Sequence, residues 1–142
     1  AISKVLMTMA GLKVPVIAVV TGEGGSGGAL ALAVADRLLM LSNAVFSVAS
    51  AEACASIIWK DVERVEEMAA ILKITAEDLL ELGIIDEILP EPIGGAHQDF
   101  QQMAETIKAS LIKYLPELRG KDTDNLLEER YQKIRRIGRF TE

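Results

Sequence analysis

A chain of 142 residues, half of them hydrophobic and a quarter charged, is long enough to bury a core within one globular unit. Its formal net charge of −6 argues against a nucleic acid or an anionic membrane surface as the main partner. One cysteine, Cys54, excludes an internal disulfide or a cysteine-based zinc site and makes a reducing compartment the default, while no apolar run is long enough to span a bilayer.

The apolar spacing of Ile2, Val5, Leu6, Met9 and Leu12 predicts an amphipathic helix over residues 2–12, closed near Gly11. It starts in mid-pattern with no cap before it, which reads as part of something longer. Val14 to Val20 follows as a fully buried strand, with Pro15 tolerable at its start. Five glycines then fall within the seven positions 22–28, between that strand and a run of small helix formers from Gly27 to Ala35 that is apolar all round and therefore expected to be buried on most sides. Two short strands are expected at 37–41 and 45–48, parted by Ser42-Asn43.

Ser50 is a fitting N-cap for a helix through Trp59, with Glu52 in the first turn where a carboxylate suits the dipole. A second helix begins near Glu63 and carries Val65, Met68, Ala69 and Leu72. Thr75-Ala76-Glu77-Asp78 reads as a capping box opening a short helix that Gly83 ends, and Ile84 to Leu89 as a strand stopped by Pro90 and Pro92. Phe100, Met103, Ile107, Leu111 and Leu115 mark a helix over 98–115. Leu126, Leu127, Tyr131, Ile134 and Ile137 mark a last one, whose basic end (Lys133, Arg135, Arg136 and Arg139) reads as a solvated surface. Three or four strands among so much helix make a layered α/β arrangement with an incomplete sheet, the remainder expected N-terminal to Ala1 or in a partner.

The glycine stretch carries the chemistry. Between a strand and a helix, glycines permit positive φ and let backbone N–H groups approach a guest with no side chain in the way. At a helix start those groups and the dipole favour an anion. A serine-hydrolase reading takes Gly24-Gly25-Ser26-Gly27-Gly28 as a nucleophile elbow with Ser26 attacking and His97, the one histidine, as base, but nothing beyond the pattern links the two. A P-loop is excluded because no Lys-Ser or Lys-Thr follows the glycines, and Gly22 to Gly27 matches a dinucleotide fingerprint only nominally. An oxyanion hole of backbone N–H groups is the second reading.

Here the sequence resembles a family. Gly22-Glu23-Gly24-Gly25-Ser26-Gly27-Gly28-Ala29-Leu30-Ala31, running on to Asp36, is similar to the oxyanion-hole turn of the crotonase superfamily, and Glu81-Leu82-Gly83-Ile84-Ile85-Asp86-Glu87-Ile88 resembles that superfamily's approach to its C-terminal helices. Within it, Lys13-Val14-Pro15-Val16-Ile17, Ala53 to Lys60, Leu89 to His97 and Arg130 to Arg135 look like the carboxyltransferase α subunits of bacterial acetyl-CoA carboxylases, nearly the whole chain corresponding to the C-terminal half of that domain. The resemblance implies a crotonase-like ββα spiral fragment with C-terminal helices, residues 1–142 forming one carboxyltransferase domain that lacks its N-terminal half. It implies carboxyl transfer from carboxybiotin to acetyl-CoA to give malonyl-CoA, in the cytoplasm, with a β subunit and a biotin carboxyl carrier protein as partners in a hetero-oligomer. Biotin rides on the separate carrier, and no metal is expected in this chain. Gly27 and Gly28 fall on the family's oxyanion pair, as the catalytic positions, and Gly24 and Gly25 shape the turn and border the biotin. A different class of reading keeps the family but makes the chain a non-catalytic interaction module.

Enoyl-CoA hydration, the common related chemistry, needs two glutamates, and the first would fall at Leu30, which cannot titrate. Glu52 lies near the second and reads first as a helix-cap carboxylate. The chain departs from the family at Ala51 and Ala53, where the pattern shows Pro and Gly. His97 reads as a loop residue without metal-ligand companions, and Cys54 and Trp59 as packing.

Overall fold

The computed structural model describes residues 1–138, so Arg139 of the basic cluster lies outside the described residues. In chain order the elements are α1 (Ile2–Ala10), β1 (Ile17–Val20), β2 (Glu23–Gly25), α2 (Ser26–Ala33), β3 (Arg37–Leu41), β4 (Val45–Ser47), α3 (Ala51–Trp59), a 3₁₀ turn (Val62–Arg64), α4 (Val65–Ile71), α5 (Ala76–Glu81), β5 (Glu87–Leu89), α6 (Phe100–Arg119) and α7 (Thr123–Arg135). One parallel sheet has the order β1-β3-β5, and a second pairs β2 with β4, also in parallel.

The core is built around β3, whose residues Leu38 to Leu41 are buried between the two neighbouring strands. Ala76 and Leu79 of α5 and Met103 and Tyr114 of α6 belong to the same cluster. A smaller cluster of Cys54, Ala55 and Met68, packed by Trp59 and Leu72, joins α3 to α4. The caps follow the local chemistry. Ser50 accepts from the Ala53 N–H at 3.2 Å, and Thr75 accepts from the Asp78 N–H at 3.3 Å. Gly83 takes the left-handed φ of +68° just beyond α5.

Several expectations are corrected. The strand predicted from Val14 starts only at Ile17, because the backbone before it has other partners. Val16 N–H donates to the Asp36 carboxylate at 2.7 Å, and the Val14 carbonyl accepts from Arg130 at 3.0 Å. β1 is half-buried rather than fully buried. The strand expected from Ile84 begins at Glu87, since the Ile84 and Ile85 N–H groups return to the Leu79 carbonyl and complete the end of α5. α2 is not enclosed: Ala31 is buried, but Leu32 is 62% exposed and Leu30 half-exposed. The helix expected over 98–115 runs from 100 to 119 and carries Pro116 within it, with Asp99 capping its start. Lys133 is no free surface cation, because its ammonium donates to Asp86 at 2.5 Å.

One ion pair ties the ends of four elements. Arg130 of α7 is 2% exposed and Asp36, between α2 and β3, is 4% exposed. The guanidinium donates to both carboxylate oxygens at 2.9 and 2.8 Å and to the carbonyls of Met9, Leu12 and Val14 at 3.0, 2.8 and 3.0 Å. Breaking such a pair from one side strands the buried Asp36 charge and takes a donor from the carbonyls that the guanidinium holds. Arg130→Met is therefore expected to cost about 3–5 kcal/mol, read as a lowered urea midpoint.

α6 is fastened to β5 by a second polar group. Glu87 accepts from Ser110 at 2.9 Å and from Lys113 at 2.8 Å. Burial pushes the Glu87 carboxyl up, but the donors Lys113, Tyr114 and Ser110 outweigh it and hold it below its ordinary value of 4.5. Because folding lowers this pKa, its stabilisation is complete above pH 4.5 and is lost as the pH falls further. Glu87→Gln should flatten the acid limb of a stability-against-pH curve below that point, leaving the other carboxylates to supply what slope persists.

Candidate functional site

The glycine stretch is not a free turn. Glu23 to Gly25 form β2, with Glu23 opposite Val45, Gly24 opposite Phe46 and Gly25 opposite Ser47. Gly24 is required by close approach: a Cβ there would stand 2.8 Å from the Phe46 ring and 3.4 Å from the Val20 side chain. The positive φ expected of these glycines falls instead on Ser26, at +57°, where the chain leaves β2 and enters α2. A serine in the left-handed region carries strain, which the paired strand before it and the helix after it hold in place.

Gly25 is the N-cap of α2 and supplies no side-chain acceptor, so the N–H groups at the helix start have no cap among the described residues. Gly27 and Gly28 sit in that first turn. A Cβ on Gly27 would meet Ile2 of α1 at 3.3 Å, whereas one on Gly28 would meet nothing within 4 Å. Beside this turn lies a cavity of about 420 Å³, bordered by Val20, Gly22, Gly24, Gly25, Ala29 and Phe46. Of the four glycines singled out, Gly24 and Gly25 line the cavity and Gly27 and Gly28 do not; the latter stand at the open helix end that adjoins it. The arrangement offers uncapped backbone donors next to a largely apolar hollow, which suits a developing oxyanion on an otherwise uncharged ring or chain.

The other candidates separate cleanly. Ser26 is exposed, and His97, in the loop after β5, is exposed and bonded to Gln98 at 3.0 Å; no hydrogen bond joins Ser26 to His97 among the described residues. Glu52 is held below the ordinary carboxylate value by its own backbone N–H and then by the Ser50 hydroxyl, the behaviour of a cap. Among the described residues no group of three or more His, Cys, Asp or Glu side chains is placed to hold a metal ion. Phe46 was not singled out in the sequence, and Asp36 and Arg130 stood in separate motifs with nothing to mark them as a pair. The signal each carried was an acid or a base standing where an apolar residue belongs: Asp36 between Ala35 and the Leu38 run, and Arg130 one turn after Leu126.

The fold is an α/β arrangement of the crotonase-like kind, with an uncapped glycine turn beside its cavity. Residues 1–138 match the family described as acetyl co-enzyme A carboxylase carboxyltransferase-like, and the chain belongs to that family. It is 69% identical over 140 residues to an acetyl-coenzyme A carboxylase carboxyl transferase subunit alpha of Syntrophomonas wolfei, covering 99% of this chain and 44% of that one. It is 56% identical over 142 residues to a protein of Natranaerobius thermophilus named for subunits beta/alpha together, covering all of this chain and 24% of that one. The chain thus spans less than half the length of these relatives. A chain in the crystal structure of a Pseudomonas malonate decarboxylase hetero-tetramer in complex with coenzyme A aligns with 96% of this chain and 55% of its own, at 23% identity and a TM-score of 0.65. That likeness is one of fold. No helix among the described residues is long and apolar enough to cross a membrane.

The contact between Gly24 and Phe46 is directly testable. Gly24→Ala should cost about 1–3 kcal/mol by forcing the Phe46 ring from its seat. Combining it with Phe46→Leu should recover part of that loss, so a thermal-denaturation cycle over the four proteins should show a favourable coupling.

Proposed function

We propose that this chain is the C-terminal part of a carboxyltransferase α subunit, providing the oxyanion donors for transfer of a carboxyl group from carboxybiotin to acetyl-CoA. The observation that carries the reading is the uncapped glycine start of α2 beside its cavity, in a chain of this family. Carboxybiotin, brought on a separate carrier protein, supplies the carboxyl group and leaves negative charge on its ureido oxygen. The N–H groups of Gly27 and Gly28 donate to that oxygen, each such donor contributing on the order of 3 kcal/mol to the transition state. Gly24 and Gly25 keep side chains out of the space the ring occupies, and Phe46, Val20 and Ala29 provide it with apolar walls. Leu30, half-exposed one turn into α2, has no proton to give, so a two-glutamate hydration does not fit this site.

A β subunit would hold the acyl-CoA and complete the site. The naming of the Natranaerobius relative for both subunits supports keeping the two activities together, and the cytoplasm, where malonyl-CoA is made for fatty acid synthesis, suits a chain with one unpaired cysteine.

Reconstitution with the β subunit tests the assignment through biotin-dependent decarboxylation of malonyl-CoA. Turnover above that of the β subunit alone is expected; its absence would leave the chain a binding module of the same subunit. Gly28→Val, whose side chain enters open space and so spares the fold, should lower kcat at least 100-fold while circular dichroism stays unchanged. Full activity in that variant would overturn the role of the turn. Labelling of Ser26 by a fluorophosphonate would instead favour a serine hydrolase.

A further inference from the structure

We propose that Arg130 is a positioning residue for the Gly27–Gly28 donor turn, acting across the molecule through α1. For its catalytic consequence this rests on the carboxyltransferase reading; its structural content does not.

α1 packs along α2 and only lightly against α7. None of its nine residues is buried, Met7 is 78% exposed, and Ile2 and Val5 are close to half-exposed. A helix of that length has marginal stability by itself, so its register is set by its packing on α2 and by the groups that grip its end. Its side against α7 is loosely filled: a largely apolar hollow of about 310 Å³ lies among Leu6, Met7, Ala10, Tyr131 and Ile134. Apolar packing therefore leaves the helix room to shift along α7.

The polar grip is far more specific. At the C-terminal end of α1 the Arg130 guanidinium donates to the carbonyl of Met9, which also accepts from the Leu12 N–H, and to that of Leu12, and it meets the negative end of the helix dipole there. The same guanidinium holds Val14 at the lead into β1 and, through both carboxylate oxygens, Asp36 just beyond α2. One planar group thus sets the C-terminal ends of α1 and α2 against each other. Only the guanidinium fork can satisfy a carboxylate side-on and three carbonyls together; a lysine ammonium has three donors.

At the other end of α1, about 13 Å away by helical rise, Ile2 rests against Gly27, its side chain 3.3 Å from where a Cβ on that glycine would be. α1 and α2 therefore lie with their N-terminal ends adjacent, and the residue touching the first turn of α2 belongs to a helix whose register Arg130 determines. A shift of α1 moves Ile2 on Gly27. An error of about 1 Å in the direction of a backbone donor is enough to weaken an oxyanion site.

The test uses the chain labelled with ¹⁵N-glycine, whose eleven glycine amides can be followed individually. In Arg130→Lys, which keeps the charge and much of the volume, the Gly27 and Gly28 signals should shift or broaden while those of Gly94 and Gly95, in the loop after β5, stay in place. In the complex with the β subunit, the same variant should lose at least tenfold in kcat with KM changed less than twofold. Glycine 27 and 28 signals that do not move, or that move together with those of Gly94 and Gly95, would overturn the proposal, as would a loss confined to KM. An inactive wild-type complex would overturn the carboxyltransferase reading, and the glycine signals would still decide the role of Arg130. Should Arg130→Lys not fold, Ile2→Ala, which removes the half-exposed side chain resting on Gly27 and leaves the guanidinium and its acceptors in place, should lower kcat in the complex with KM changed less than twofold, and an unchanged kcat would overturn the proposal.

Discussion

The buried pair of Arg130 and Asp36 is the constraint on which the arrangement of the N-terminal elements depends. Carbonyls at the end of a helix and in the irregular segment after it need donors, and in most chains water or a glycine cap supplies them. Here a guanidinium from a helix 116 to 121 residues later in the chain does so. The carboxylate of Asp36 both neutralises it and accepts the Val16 N–H, so two side chains satisfy the Val14 carbonyl and the Val16 N–H, while the Val16 carbonyl accepts from the backbone of Asp36 and Arg37. Burial of these charges is costly, and the geometry repays it only because nearly every donor and acceptor has a partner; no buried side-chain nitrogen or oxygen lacks one among the described residues.

With that frame in place, the glycine turn can be left open. A helix start without a capping side chain forgoes a contribution of about 1 kcal/mol. On the carboxyltransferase reading that loss serves function, because a Ser or Asp cap at Gly25 would occupy the donors that a guest has to reach. The turn is stiffened by other means: parallel pairing of β2 with β4, the Phe46 ring seated on Gly24, and Ile2 against Gly27. Each of these supports comes from outside the first turn of α2, and none takes up its N–H groups.

The parts of the fold legible in the sequence were those governed by local chemistry. Ser50, Thr75 and Gly83 acted at the helix ends as their types dictate, and the apolar run 37–41 became the central strand. Errors arose wherever a group outside the sheet claimed the backbone. β1 lost its first three residues to Asp36 and Arg130, and β5 lost Ile84 and Ile85 to the Leu79 carbonyl. Periodicity reports which face of an element is apolar but not whether a neighbour covers it, so α2 was expected to be enclosed although Leu30 and Leu32 are largely uncovered. At the site, the glycines were visible and their division of labour was not: which one needs close approach is set by Phe46, 22 residues away, and the positive φ landed on a serine.

Carboxyl transfer generates negative charge on two oxygens in turn, one on the donor ring and one on the accepting thioester, and each needs its own pair of aimed donors. Among the described residues only α2 has a glycine N-cap followed by further glycines, so on that reading this chain would supply one such turn. Its cavity is bounded by β1, β2, α2, β3 and β4, and Leu32 at its edge is mostly exposed. On the carboxyltransferase reading, the two halves of the reaction must then meet across a surface that this chain only partly forms. The chemistry would depend on how rigidly the turn is held toward that surface, which makes the clamp at the far ends of α1 and α2 part of the same device as the donors.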